Sequence, residues 1–469
     1  MKTDRRLLFL AVTLFCAAGL VAVQAQTFQS FHSFNGTDGA NPYTTLVQGV
    51  DGALYGTTID GGANASGNII TVSPGGSVTS IYSFCSQQNC LDGEDPTGGL
   101  AVGPDGALYG TASEGGSPNG YGTIFKITRQ GELTTLHTFL GSDGAAPYGT
   151  MALGRDGNFY GTANVGGRSG GGVFFRITPD GTYTPLYTFC MQSGCPDGQN
   201  PVGPIILGSD GSFYGTAHSG SNSACNSGCG TVFKITPNGT LTTLHAFNGT
   251  DGSYPYGGVV EGLDGNFYGT SGAGGTDNQG TVFTVTPGGQ LTTLHSFDNV
   301  DGGGPYAMML GSDGNFYGTT SAGGGGFHQF GTLFEITPDG SFTSLHIFNG
   351  KAGAALYSGM MQATNGTFVG GTYFGGAFQN GTLYSLRTGL DPFVEFVRAS
   401  GKVGESGGIL GKGLKEATEV AINGTPASFR VISDTLIRAT IPAGATSGFV
   451  SVTTPGGVLT SNVPFVVVK

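Results

Sequence analysis

Gly257 to Phe297 of this 469-residue chain reads GGVVEGLDGNFYGTSGAGGTDNQGTVFTVTPGGQLTTLHSF, and this stretch decides the fold. Gly257 to Glu261 is a short apolar strand, a; Leu263-Asp264-Gly265-Asn266 is a hairpin turn, and Phe267 to Ser271 is the second strand, b. A glycine-rich loop leads into strand c, Thr281 to Thr286, and Pro287-Gly288-Gly289 turns it into strand d, Leu291 to Phe297. Asp-Gly and Gly-Gly supply the positive φ that tight hairpins require, so the four strands form an antiparallel meander.

The same unit recurs along the chain. The phrase DGxxYGT begins at Asp51, Asp105, Asp156, Asp210, Asp264 and Asp313, with a degenerate seventh copy from Asn365. These starts lie 54, 51, 54, 54, 49 and 52 residues apart. A phrase of the GTVFKIT type follows each one, near Gly67, Gly122, Gly172, Gly230, Gly280, Gly331 and Gly381. An aromatic d-strand ending also recurs seven times, from Phe31-His32-Ser33-Phe34 to Leu345-His346-Ile347-Phe348. A period near 50 with four strands per unit is the signature of propeller blades.

The two ends of the array complement each other. Residues 27 to 34 carry a d strand with no a, b or c before it, and the seventh unit ends at Gly381 to Arg387 without a d strand. Pairing the orphan with the gap closes a ring and removes both exposed sheet edges. The expected fold is therefore all-β: a seven-bladed β-propeller over residues 26–388, closed by its N-terminal strand.

Phrases such as SDGNFYGT at Ser312 to Thr319 and GTVFKITPNG at Gly230 to Gly239 resemble the GloVer tandem-repeat (choice-of-anchor) family of exported bacterial proteins. That resemblance covers residues 27 to 387 and implies surface or extracellular placement with a variable C-terminal attachment. From Leu390 the repeat stops. Gly401-Lys402-Val403-Gly404, Ile422-Asn423-Gly424-Thr425-Pro426-Ala427, Ile441-Pro442-Ala443-Gly444 and Pro455-Gly456-Gly457 resemble an IPT/TIG domain. The resemblance implies an immunoglobulin-like β-sandwich over residues 389–469, used as a spacer or adhesion unit. Alternating strands such as Phe429 to Ile432 point the same way.

The basic leader Met1 to Arg6, the apolar run Leu7 to Val23 and the small-residue site before Gln26 read as a secretory signal peptide, residues 1–25. Its removal takes three basic groups and one acid from a net charge of −12 and leaves −14, with no transmembrane segment in the mature chain. So acidic a chain, with no basic run, repels nucleic acid. Apart from Cys16 in the leader, the cysteines fall in three close pairs, Cys85 with Cys90, Cys190 with Cys195 and Cys225 with Cys229. In an exported chain these are expected disulfides rather than a metal site.

Repetition separates structural from functional candidates. A side chain present in nearly every unit serves a need shared by every unit, so Tyr55, Tyr109, Tyr160, Tyr214, Tyr268 and Tyr317 are expected to pack between blades. His32, His137, His245, His295 and His346 share a slot with Tyr82 and Tyr187, which argues against ligand or base chemistry. Asp38, Asp92, Asp143, Asp197, Asp251 and Asp301 each open a DGxxP-like loop and are read as Asp turns. The d–a and b–c connections share one face of the ring. There the residues that break the pattern are Asp60, Glu94, Asp95, Glu114, Arg168, His218, Asp277 and His328, the candidates for ligand contact.

No catalytic, cofactor-binding or metal-binding set emerges: the chain lacks an HExxH helix, a P-loop and a dinucleotide fingerprint. The expectation is a monomeric, non-catalytic binding or scaffold protein of the cell surface or extracellular space, with a glycan or protein ligand. An extracellular polysaccharide hydrolase or lyase is the alternative. Asymmetric carboxylates or histidines converging in one pocket would favour the enzyme.

Overall fold

A computed structural model describes residues 26–325 and 329–468. The expected signal peptide and His328 lie outside the described residues. Within them, residues 27–387 form seven antiparallel sheets, six of four strands and one of five. The first spans residues 40–83 and the sixth residues 303–347. In the stretch quoted above, strand b is Phe267–Ser271, as read from sequence. Strands a, c and d are trimmed at their ends to Val259–Glu261, Thr281–Val285 and Leu291–Ser296. They pair in the order a-b-c-d.

The middle strands are the most apolar because they are covered on both faces. Phe267–Ser271 is buried along its whole length, whereas Leu291–Ser296 at the outer edge is half-buried. The glycine of YGT is dictated by packing: a Cβ on Gly269 would lie 2.6 Å from the ring of Phe283 on the adjoining c strand. Gly265, at the Asp-Gly turn, needs its positive φ of +79°. Each outer d strand carries a register shift against its c strand, as between Val282 and Phe283. Such bulges twist an edge away from foreign strands.

Sheets pack on one another through the repeated tyrosines. Tyr268 stacks on Phe316 of the next sheet with centroids 4.0 Å apart, and Tyr214 on Phe267 at 3.8 Å. Each tyrosine hydroxyl donates to the aspartate four residues earlier, as Tyr268 to Asp264 at 2.9 Å. That pairing explains why Asp and Tyr recur together.

The N-terminal strand Thr27–Ser33 completes the last sheet, running antiparallel to Thr382–Arg387 with Thr27 opposite Arg387 and Ser33 opposite Thr382. One buried cluster joins Phe34, Met361 and Leu383 of this sheet to Leu46, Leu54 and Ile70 of the first. A backbone bond between neighbouring sheets repeats at the same position. The residue before the loop proline, held at positive φ, donates its N–H to the previous sheet's b–c loop, as Tyr254 to Cys229 at 3.0 Å. At the junction of last and first sheets Asn41 donates to Asn380 at 2.7 Å, so this junction is built like the internal ones.

Residues 394–468 form two further small antiparallel sheets and one parallel pair, Ser400–Lys402 with Val466–Val468, around a core of Val420, Ile437, Val452 and Phe465. This unit sits on the a–b hairpin side of the ring. Thr435 Oγ1 donates to the carbonyl of Val50 at 3.2 Å and the Phe393 N–H to that of Thr364 at 3.0 Å. Among the described residues no helix is long and apolar enough to cross a membrane. Cys85–Cys90, Cys190–Cys195 and Cys225–Cys229 are bridged, all in loops on the opposite side from the C-terminal unit.

Candidate functional site

The repeated aspartates of the d–a loops turn inward on their own loops. Asp251 accepts the Asn248 N–H at 2.9 Å and lies 2.9 Å from His245 Nε2; Asp301 meets His295 Nε2 at 2.7 Å. Where the ring slot holds tyrosine the bond persists, with Tyr82 donating to Asp92 and Tyr187 to Asp197, both at 2.7 Å. The histidine–tyrosine exchange is therefore conservative: either ring reaches the same loop carboxylate.

Four of the pattern-breaking candidates come together between the first and second sheets. Glu94 and Glu114 exchange backbone hydrogen bonds at 2.9 and 3.1 Å, and Asp95 follows Glu94 in the loop. Asp60 ends the b strand of the first sheet, Leu54–Asp60. Burial pushes the Asp95 carboxyl up to about 7, and the carboxylates of Glu114, Asp60 and Glu94 add to the shift. His218 lies two sheets further round, at the end of the fourth sheet's b strand. Its Nδ1 is 2.7 Å from Ser219 Oγ, its ring packs on Tyr254 and Tyr256 at 5.1 and 4.5 Å, and burial lowers its pKa. Arg168 and Asp277 are exposed and form no ion pair with either group among the described residues.

Sequence reasoning missed a cavity on this face. The residue after the loop proline, or after Leu356 in the last unit, is tyrosine in five of seven units: Tyr43, Tyr148, Tyr256, Tyr306 and Tyr357, with Thr97 and Val202 in the other two. All seven line one cavity of about 280 Å³. Tyr256, Tyr306, Tyr357 and Tyr43, from four consecutive sheets, form a continuous wall with neighbouring centroids 5.7, 5.9 and 6.2 Å apart. The hydroxyls of Tyr43 and Tyr306 are 2.7 Å apart, and burial raises both pKa values. Thr97 is 7% exposed, and its Oγ1 has no hydrogen-bond partner among the described residues. The signal was present as a recurring Pro-Tyr in the DGxxP loops. A repeated residue beside a rotation axis converges with its copies, whereas a repeated residue between sheets does not.

Towards the C-terminal unit lies a second cavity of about 350 Å³, lined by Val47, Ala101 and Met309 of the a strands and by Glu395, Phe396 and Val397 of that unit. Burial pushes the Glu395 carboxyl up to about 7. Residues Glu395 to Val397 thus cap the inner surface of the ring on one side, while the tyrosine-lined cavity occupies the other. Among the described residues no group of three or more His, Cys, Asp or Glu is placed to hold a metal ion.

Comparisons with known proteins agree with this architecture. Similar solved structures include virginiamycin B lyase from Staphylococcus aureus, with 17% identity, a TM-score of 0.52, and coverage of 77% of this chain and 99% of that one. A fungal alcohol oxidase of the AA5 family in complex with copper has 13% identity, a TM-score of 0.52, and coverage of 94% and 99%. The extracellular domain of a hybrid two-component system protein from B. thetaiotaomicron has 11% identity, a TM-score of 0.53, and coverage of 92% and 52%. At such identities the likeness concerns fold alone, a propeller-like array of four-stranded sheets. No curated protein sequence matches the chain. The Gloeobacter/Verrucomicrobia repeat pattern matches residues 21–225 and 201–420, so the chain belongs to the Gloeobacter/Verrucomicrobia repeat family.

Proposed function

We propose that this chain is an exported, non-catalytic binding or scaffold module of the cell surface or extracellular space. Residues 26–388 act as a seven-bladed propeller and residues 389–469 as an immunoglobulin-like spacer of the IPT/TIG kind. The ligand enters the axial cavity on the d–a and b–c loop face. The carrying observation is the tyrosine-lined cavity: five rings from rotationally related positions meet on the axis, where packing between sheets does not require them. Aromatic walls with few polar groups are what small-ligand sites use. Three disulfides in the loops beside the cavity support the oxidising compartment and stiffen its surround.

The polysaccharide hydrolase or lyase remains as a second reading because of Asp95, whose raised pKa near 7 suits a general acid. Against it, the cavity is lined by tyrosines, threonines and small or apolar residues, and neither the four carboxylates nor His218 is part of that lining. A glycan and protein array probed with the full chain tests the choice. A retained ligand released unchanged supports binding, a cleaved one supports the enzyme, and no ligand on either array sinks both.

A further inference from the structure

Resting on the binding reading above, we propose that the axial cavity receives a cationic ammonium group, quaternary or protonated, held against the tyrosine wall and attracted by the carboxylates of the first two sheets, which lie outside the lining. The wall supplies the first half of the site. Tyr256, Tyr306, Tyr357 and Tyr43 present a continuous aromatic surface, and ring faces carry the negative end of the quadrupole. A cation within about 6 Å of such a ring is attracted by roughly 0.5 to 2 kcal/mol, more as water is removed.

The second half is charge without a counterion. Asp60, Glu94, Asp95 and Glu114 form no ion pair with Lys, Arg or His among the described residues, and no basic side chain lines the cavity. Both Tyr148 of the cavity lining and neighbouring Tyr373 feel these carboxylates: Glu114 and Asp95 act on Tyr148, and Asp60 and Asp95 on Tyr373. The like charges repel one another, and a cation beside Tyr148 would relieve that repulsion.

The third observation is independent of both. Thr97, two residues after Asp95, lines the cavity at 7% exposure with its Oγ1 unpartnered. A buried hydroxyl of that kind is costly unless something in the cavity bonds it. A volume of about 280 Å³ is several times that of one water, enough for a trimethylammonium head with its attached hydroxyl. A neutral sugar would answer the hydroxyls but leave the carboxylates uncompensated.

The test is isothermal titration of the full chain with choline and with dimethylbutanol, its neutral carbon isostere, at low and matched ionic strength. Choline is expected to bind in the millimolar range and about ten-fold more tightly than dimethylbutanol, a difference of about 1.4 kcal/mol. Asp95→Asn should weaken choline several-fold and leave dimethylbutanol unchanged. Asn tolerates the φ of +52° at this position, so the variant keeps its backbone. Glu114→Gln, at an exposed position, should act in the same direction and guards against a folding defect in the first variant. Equal affinity for choline and its isostere, or no choline heat at tens of millimolar, overturns the inference. A neutral glycan retained on the array with no choline binding overturns it while leaving the binding reading intact.

Discussion

Phe34→Ala separates a closed ring from an open array. Phe34 is fully buried in a cluster that draws Leu46, Leu54, Ile70 and Val72 from the first sheet and Met361, Val369 and Leu383 from the last. Its N–H donates to the carbonyl of Gly381 at 3.1 Å. Truncation removes a whole ring from contact with both sheets and leaves a void they cannot jointly fill, so the transfer and cavity costs add to about 3 to 5 kcal/mol. The matched control is Phe247→Ala, the same slot at an internal junction, also fully buried. Urea denaturation followed by tyrosine fluorescence should show equal losses for the two variants, with the C-terminal unit's transition monitored separately so that two-state bookkeeping is not forced on a two-part chain. If Phe34→Ala costs under about 1 kcal/mol while Phe247→Ala carries the full loss, the N-terminal strand frays in solution and the closure argument fails.

Three further outcomes follow from the same geometry. Asp95 has a folded pKa of about 7, above its unfolded value of about 3.9, so its contribution to stability is present at low pH and is lost as pH rises between the two. Thermal melts across that window should show wild type falling relative to Asp95→Asn by about 1 kcal/mol after solvent screening, with the neighbouring Asp60, Glu94 and Glu114 unchanged in both; parallel curves would contradict the crowding. Gly269→Ala places a methyl 2.6 Å from the Phe283 ring and should cost about 1 to 3 kcal/mol, measured by chemical denaturation; a neutral result would refute the steric account of YGT. Replacing Cys85 and Cys90 together by serine opens a loop closed across a sequence separation of 5 and should cost no more than about 2 kcal/mol in the same assay, whereas global unfolding would show that the bridge holds more than its own loop.

The strand order within a unit was legible because each turn announces itself. Leu263-Asp264-Gly265-Asn266 and Pro287-Gly288-Gly289 mark the hairpins, and strand b was read to the residue. The a strand was read too long: it begins at Val259, and Gly257, read as its first residue, lines the cavity instead. For the candidate site, sequence reasoning found Glu94, Asp95, Glu114 and Asp60 as breaks in the pattern but had no means of bringing Asp60 to the others. It passed over Tyr43, Tyr148, Tyr256, Tyr306 and Tyr357 because repetition was equated with packing. The cap formed by Glu395 to Val397 carries no local signal at all, since it depends on how two units dock.

The left-handed residue that precedes the loop proline, or Leu356 in the last unit, has a wider meaning. Its backbone is pinned to the neighbouring sheet at all seven junctions, yet the identity of its side chain varies freely: Asn41, Asp95, Ala146, Asn200, Tyr254, Gly304 and Ala355. Backbone and side chain at this position answer to different demands. The ring therefore carries seven positions whose backbone is fixed while their side chains differ, each two residues before one that lines the cavity, so these loops can exchange side chains while the scaffold beneath them stays the same.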